Sequence, residues 1–136
     1  TVYWYSPDPR AIIPIDGYKP ARSLRPILNQ KRFEVRINTD FQSVIRYCAL
    51  PRADGEGTWI SDEIIQAYTE LHQSGLAYSV ETYIDNRLAG GLYGVAIGAA
   101  FFGESMFHLV SNASKVAFHY LMEILKNQGF ELLDTQ

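Results

Sequence analysis

Cysteine is almost missing from this 136-residue chain: Cys48 stands alone, which excludes an internal disulfide framework and a cysteine-rich zinc site. A single thiol fits a reducing compartment. Histidine is scarce as well. His72, His108 and His119 show no metal-ligand spacing. His119 and Glu123 lie four apart on an expected helix, but two such ligands do not make a site, so no metal is expected. Long hydrophobic runs are lacking too. The stretch LAGGLYGVAIGAAFFG at 88–103 is uncharged, but five glycines interrupt it, and it falls short of the ~20 residues of a spanning helix. The first ten residues, TVYWYSPDPR, have neither the basic start nor the apolar stretch of a secretory leader. No membrane span is expected, and there is no Walker sequence, internal repeat or low-complexity tract.

What is present is a normal globular composition, 47% apolar and 20% charged with a net charge of −3. Such a chain is one domain able to bury its own core. The net charge conceals an asymmetry. Residues 1–52 hold nine Lys and Arg against four acids, a balance of +5, whereas residues 53–136 hold three against eleven, a balance of −8. A basic front half on an acidic protein is what a face meeting a polyanion such as RNA requires. A solvated basic surface balanced by acids packed nearby is the plainer alternative.

Along the chain, AIIPI after SPDPR reads as a short edge strand, because proline removes a ladder donor. Ser23 is placed to cap a short helix from Leu24, with Pro26 in its first turn. Phe33, Val35 and Ile37 alternate with polar residues, the period of a half-buried strand. Asp40 caps a helix with Phe41, Val44, Ile45 and Cys48 on one face, which makes Cys48 a core residue. PRADGEGT at 51–58 has loop composition. Ser61 opens a second helix with Ile64, Ile65, Tyr68 and Leu71 on its apolar face, ended by Gly75. AYSVETYI, the turn DNR and LAGGLYGVAIG form a hairpin, and AAFFGESMF is a third strand. A well-buried helix runs from about Ser111 to Gln128, and FELLD is a last buried strand. The resulting order, three strands, a helix and a strand, resembles the core of the GNAT-type acyltransferase fold, in which a mixed sheet opens beside a central helix. The fold class expected is α+β, a mixed, mainly antiparallel sheet with flanking helices.

Few residues carry chemistry. GGLYG follows Arg87, but the Q/R-x-x-G-x-G/A fingerprint for coenzyme A is not met because Leu92 follows Gly90 and Gly91. Glycines inside a strand more naturally permit a bulge or a close backbone approach. Glu104, in GESMF, is an acid amid apolar and aromatic residues on an expected central strand. Asp134 and Gln136 end the last strand and, two apart, share a face. Buried strand positions rarely hold acids unless these are paired or functional, so a salt bridge for Glu104 and a strand-end cap for Asp134 stand beside the functional readings.

Six segments occur in order: SPDPRA at 6–11, EGTWI at 56–60, GGLYGVAIG at 90–98, FGESMF at 102–107, NASK at 112–115 and LLDTQ at 132–136. Together they resemble the leucyl/phenylalanyl-tRNA–protein transferase family over nearly the whole chain, with GESMF followed by NASK the most specific part. The resemblance implies a bacterial cytoplasmic aminoacyltransferase without a cofactor. Such an enzyme takes leucine or phenylalanine, and less readily methionine, from aminoacyl-tRNA. It joins the amino acid to proteins with N-terminal Arg or Lys, marking them for degradation by the N-degron route. DNA and membranes are not expected partners. Residues 1–136 would form a single GNAT-like catalytic domain. Family members also carry an N-terminal module with a GDL stretch and an FPW-type segment, and a later segment with HTASLGA, neither of which occurs in this sequence.

The resemblance also implies roles. Leu92, Phe101, Met106, Phe118 and Leu133 match the apolar pocket for the donor side chain, with Gly103 beside it. Ordinary core is the alternative for each of the five. Trp59 matches a tryptophan near the terminal adenosine, Glu104 an acid of the catalytic pocket, and Asp134 and Gln136 the pair proposed to activate the acceptor amine. Lys115 matches the NASK lysine. Arg22, Arg25, Lys31 and Arg32 are the expected tRNA-facing cluster. Two other functions remain open at this point: a GNAT-type acyltransferase with another donor, which residual coenzyme A binding would reveal, and a non-catalytic RNA-binding homologue.

Overall fold

A computed structural model of the chain describes residues 11–50 and 61–135. Strand β1 spans Ala11–Pro14. A 3-10 turn at Arg22–Leu24 leads into α1 (Arg25–Gln30), followed by β2 (Glu34–Ile37), α2 (Phe41–Cys48) and α3 (Asp62–Gln73). Then come β3 (Ala77–Ile84), β4 (Arg87–Ile97), β5 (Ala100–His108), α4 (Ala113–Asn127) and β6 (Leu132–Thr135). The six strands form one sheet in the order β1-β6-β5-β4-β3-β2. All neighbours are antiparallel except β5 and β6, which run parallel and are joined through α4. This is the α+β, mainly antiparallel arrangement expected.

Each sheet face carries its own core. On one, α4 lays Ala117, Leu121, Met122 and Leu125 against Val80, Leu92, Phe101 and Leu133. On the other, α2 and α3 place Phe41, Val44, Ile45, Cys48 and Ile65 against Ala77, Tyr93 and Val95. Alternation along β4 sends Leu92 to the first core and Tyr93 to the second. Burying one leucine or phenylalanine side chain contributes ~1.5–3 kcal/mol, so these two layers fix the sheet between them.

Local chemistry explains the boundaries. The Asp40 side chain accepts from the Ser43 N–H at 3.2 Å and starts α2. Ser61 Oγ accepts from the Ile64 N–H at 3.3 Å and starts α3. The β3–β4 hairpin turns on Asp85 and Asn86, both at positive φ, the pairing a two-residue type I′ turn requires. Arg87 already belongs to β4, so the turn is one residue tighter than DNR. The glycines of β4 serve close approach. A Cβ on Gly90 would stand 2.6 Å from Ala113 Cβ, and one on Gly94 would stand 2.4 Å from the Phe102 carbonyl oxygen.

Two expectations fail. Ser23 does not cap a helix, because the chain enters a 3-10 turn earlier and Ser23 lies inside it; Leu24 precedes α1 without a side-chain cap bond. Strand β2 does not alternate cleanly. It pairs only with β3 at the sheet edge, Ile37 is exposed, and Arg36 lies half-buried over the Tyr83 ring at 4.0 Å, bound to Glu34.

Candidate active site

Strand β5 is irregular where it matters. Tyr93 pairs with Ser105 and Gly94 with Gly103, which leaves Glu104 as an extra residue with no counterpart on β4. A bulge of this kind bends its strand and re-aims a side chain. Here the Glu104 carboxylate accepts a hydrogen bond from the Tyr68 hydroxyl on α3. The Tyr68 ring lies edge-on to Tyr93 at 5.4 Å. Burial, with the Glu104 charge and hydrogen bond adding to it, pushes the Tyr68 pKa well above the usual tyrosine value. Burial likewise raises Tyr93, with smaller contributions from Cys48, Tyr68 and Glu104. Both phenols stay neutral at physiological pH, and Tyr68 acts as a donor that holds the carboxylate in place. The Tyr93 hydroxyl is fully buried and has no hydrogen-bond partner among the described residues.

A cavity of about 310 Å³ opens beside the bulge. Leu92, Met106, Phe118, Leu121 and Leu133 provide apolar wall, Gly103 leaves room for backbone approach, and Glu104, Ser105 and Thr135 are the polar part. Its size is at the lower end of the ~300–1,000 Å³ usual for small-molecule sites.

Most expected site residues meet here: Leu92, Gly103, Glu104, Met106, Phe118 and Leu133 all line this cavity. Phe101 does not. It is buried in the α4-side core behind the wall, where its ring contacts Phe130. Asp134 is 7% exposed and lines neither this cavity nor its neighbour, although Leu133 and Thr135 on either side of it do. Alternation along β6 therefore sends Asp134 to the sheet face away from α4, the face on which Glu104 meets Tyr68. Trp59 and Gln136 lie outside the described residues, as does the expected loop at 51–58.

The basic cluster is exposed but divided. Arg22 and Arg25 flank Ser23 and Leu24, which wall a second cavity, whereas Arg32 lines a separate depression with Asp85 and Arg87. Leu121, Tyr68 and Tyr93 also belong to the site or its support, and their residue types alone do not mark them. Leu121 has a local signal, three residues after Phe118 on the same helix face.

In parallel strand–helix–strand units, a phosphate-binding turn sits between the first strand and the helix. That place is Leu109–Asn112, between β5 and α4, rather than GGLYG within β4; its residues, LVSN, include no glycine. Among the described residues, no group of three or more His, Cys, Asp or Glu is arranged to hold a metal ion. No described helix is long and apolar enough to cross a membrane.

Comparison with known proteins bears on the fold and the family. A protein of Bacillus licheniformis, L-PGS, superposes with a TM-score of 0.68 at 12% identity, covering 93% of this chain and 45% of that one. An aminoglycoside acetyltransferase from an uncultured soil metagenomic sample superposes with a TM-score of 0.59 at 13% identity, over 79% of this chain and 78% of that one. Similarities at that level show a GNAT-like fold. In sequence, the leucyl/phenylalanyl-tRNA–protein transferase of Chlorobaculum tepidum is 52% identical over 136 residues, all of this chain and 70% of that protein. That of Prosthecochloris aestuarii is 55% identical over 135 residues, 99% of this chain and 70% of that protein. The family model described as leucyl/phenylalanyl-tRNA protein transferase matches residues 12–136, and the chain therefore belongs to that aminoacyltransferase family.

Proposed function

We propose that this chain transfers leucine or phenylalanine, and less readily methionine, from aminoacyl-tRNA to the α-amino group of proteins beginning with Arg or Lys. The proposed setting is the cytoplasm, and the product carries an N-terminal degradation signal. The observation that carries this reading is the small apolar cavity flanked by a carboxylate re-aimed by a strand bulge. The apolar walls suit the donor side chain. Glu104 on the bulge and Asp134 on the face away from α4 provide negative charge for a cationic acceptor residue.

The chemistry needs little from the protein. The donor ester is already activated, and an α-amino group has a pKa of about 7.7–8.0, so a fraction is neutral at pH 7. The amine nitrogen attacks the ester carbonyl carbon, the carbon–oxygen bond to the terminal ribose breaks, and the ribose hydroxyl leaves with the proton lost by the amine. Holding the amine against the carbonyl can supply ~7–11 kcal/mol. In this scheme Gln136 accepts a hydrogen bond from the amine and Asp134 orients Gln136. An amide is a poor base, so positioning matters more than proton abstraction.

The direct test is transfer of labelled leucine from charged tRNA to peptides that differ only in their first residue. Labelling of Arg- and Lys-initiated peptides, but not of a Glu-initiated one, is expected. No labelling of any peptide by the folded chain would refute the proposal. Asp134→Asn should lower the transfer rate while tRNA affinity stays near the parent value.

A further inference from the structure

A second cavity, of about 550 Å³, shares Met106, Phe118 and Thr135 with the first as wall residues. Tyr18 lines the second cavity but not the first, and its ring packs edge-on to Phe118 with centroids 6.1 Å apart. Phe118 therefore borders the apolar cavity on one side, and open volume with Tyr18 on the other. An edge-to-face pair at ~4.5–7 Å is favourable but modest in strength, so Tyr18 can hold Phe118 in place only if Tyr18 is itself held.

It is held at both ends. Ile15, 1% exposed, is locked into the α4-side core, and its N–H donates to the Glu131 carbonyl at 3.2 Å. The chain then turns through Asp16 and Gly17, and the Tyr18 N–H closes the turn on the Ile15 carbonyl at 3.2 Å. At the far end of the side chain, the Tyr18 hydroxyl bonds at 3.2 Å to Nδ1 of His119, the residue after Phe118 on α4. Burial, and after it the Glu123 charge, raises the Tyr18 pKa. The phenol keeps its proton and donates, and Nδ1 accepts.

Resting on the transferase reading, we propose that Tyr18 and His119 are positioning residues that set the choice between donors. Fastened by His119, the Tyr18 ring keeps Phe118 in place as a wall of the first cavity and so disfavours phenylalanine relative to leucine. Without the Tyr18–His119 bond, Phe118 turns toward the second cavity, the donor pocket grows, and the larger aromatic side chain gains. Neither residue touches the reactants. Tyr18 acts through Phe118, and His119 acts through Tyr18.

The test compares two donors. Tyr18→Phe keeps the ring and removes the hydroxyl, whereas His119→Ala removes the acceptor. In either variant the ratio of kcat/KM for phenylalanyl-tRNA to that for leucyl-tRNA should rise about fivefold, below the ~10–200-fold of a full methylene difference. The double variant should move the ratio no further, since both substitutions break one bond. His119→Asn, whose amide oxygen can stand near the place of Nδ1, should restore most of the parent ratio. The KM for an Arg-initiated peptide should stay within about twofold of the parent value throughout, a split that general loosening of the fold would not give. In nitrogen-15 spectra the His119 Nδ1 resonance should shift in Tyr18→Phe, which reports the lost bond without any transfer. An unchanged donor ratio, single effects that add in the double variant, or an unchanged Nδ1 resonance would overturn the proposal. Should the parent chain transfer nothing, binding of the methyl esters of leucine and phenylalanine decides. An affinity ratio moved about fivefold toward phenylalanine in Tyr18→Phe supports the positioning role although the transferase reading has failed. An unmoved ratio, or no binding of either ester to the parent chain, overturns it.

Discussion

Gly90→Ala places one methyl group where β4 touches α4. The added carbon would stand 2.6 Å from Ala113 Cβ, 3.0 Å from the Phe107 carbonyl oxygen and 3.1 Å from the Ala113 carbonyl carbon. Carbon atoms pack best at ~3.5–4.0 Å, so the start of α4 must retreat by roughly 1 Å. That movement also stretches the 3.3 Å hydrogen bond from Thr82 Oγ1 to the Ala113 carbonyl oxygen. Overpacking of this kind costs ~1–3 kcal/mol, while removing a strand glycine returns ~0.5–1 kcal/mol of backbone entropy. The expected net loss is about 1–2 kcal/mol. With a urea slope of ~1–3 kcal/mol/M, the midpoint should fall by about 1 M at unchanged slope. Because Phe118 and Leu121 ride on α4 and line the first cavity, the KM for leucyl-tRNA should rise in the same variant. Gly17→Ala is the control, since nothing lies within 4 Å of a Cβ there. Adding Ala113→Gly to Gly90→Ala should recover part of the stability by removing the shortest contact. A Gly90→Ala midpoint equal to or above the parent would refute this account of how β4 sets the position of α4.

Three other outcomes follow from the same geometry. Met106 is 45% exposed at the junction of the two cavities, so Met106→Ala should favour phenylalanine over leucine several-fold in competing transfer, within the ~1–3 kcal/mol that small apolar size differences allow; equal losses for both donors would make Met106 a purely structural residue. Reversing Arg22, Arg25, Lys31 and Arg32 to glutamate should leave the thermal midpoint nearly unchanged, because all four are exposed, while lowering tRNA affinity and its salt slope in a filter-binding titration; unchanged affinity would return the cluster to ordinary solvated surface. Tyr68 and Tyr93 hold their protons more tightly when folded, so the unfolded state deprotonates first and stability should fall as pH rises past ~10; Tyr93→Phe should make that fall shallower in urea titrations between pH 8 and 11, and an unaltered pH profile would contradict the assigned burial of the phenol.

Much of the fold was legible because its signals are local. Asp40 and Ser61 announce α2 and α3 through bonds that span three residues. The glycines of β4 announce close approach without saying to what. The structure supplies the partners, Ala113 and the Phe102 carbonyl. The cavity wall was legible where single strands or helices carry it, since Leu92, Met106, Phe118 and Leu133 do line one cavity. What was not legible depends on register between strands. Glu104 stands out as an acid in an apolar run, but its role as the extra residue of a bulge exists only once Gly103 and Ser105 find Gly94 and Tyr93. Tyr68 and Tyr93 look like ordinary core positions on separate elements, and only packing α3 against the sheet brings Tyr68 to the Glu104 carboxylate. Phe101 failed as a wall residue for the same kind of reason: the closure of β5 on β6 at Phe101 and Leu133 leaves Leu133 at the cavity and Phe101 behind it.

The sheet brings an apolar wall and a carboxylate together along one seam. Pairing of β5 with β6 runs through Gly103 and Thr135, and Glu104 lies one residue further along β5. On the α4 side of this seam lie the apolar cavity and, sharing Met106 and Phe118 with it, the second cavity. Glu104 lines that cavity too and also meets Tyr68 on α3, while Asp134 is buried on β6. In the proposed reaction the donor is an apolar side chain attached to a polyanion, and the acceptor is an amine next to a cation. There the Glu104 carboxylate, at the wall of the apolar cavity, attracts the basic neighbour of the amine while the apolar walls take the donor side chain. Specificity for a basic first residue would then come from the carboxylates on the acceptor side, and specificity for tRNA from cations on the donor side. A charge reversal on either side should therefore impair its own reactant and leave the KM for the other nearly unchanged.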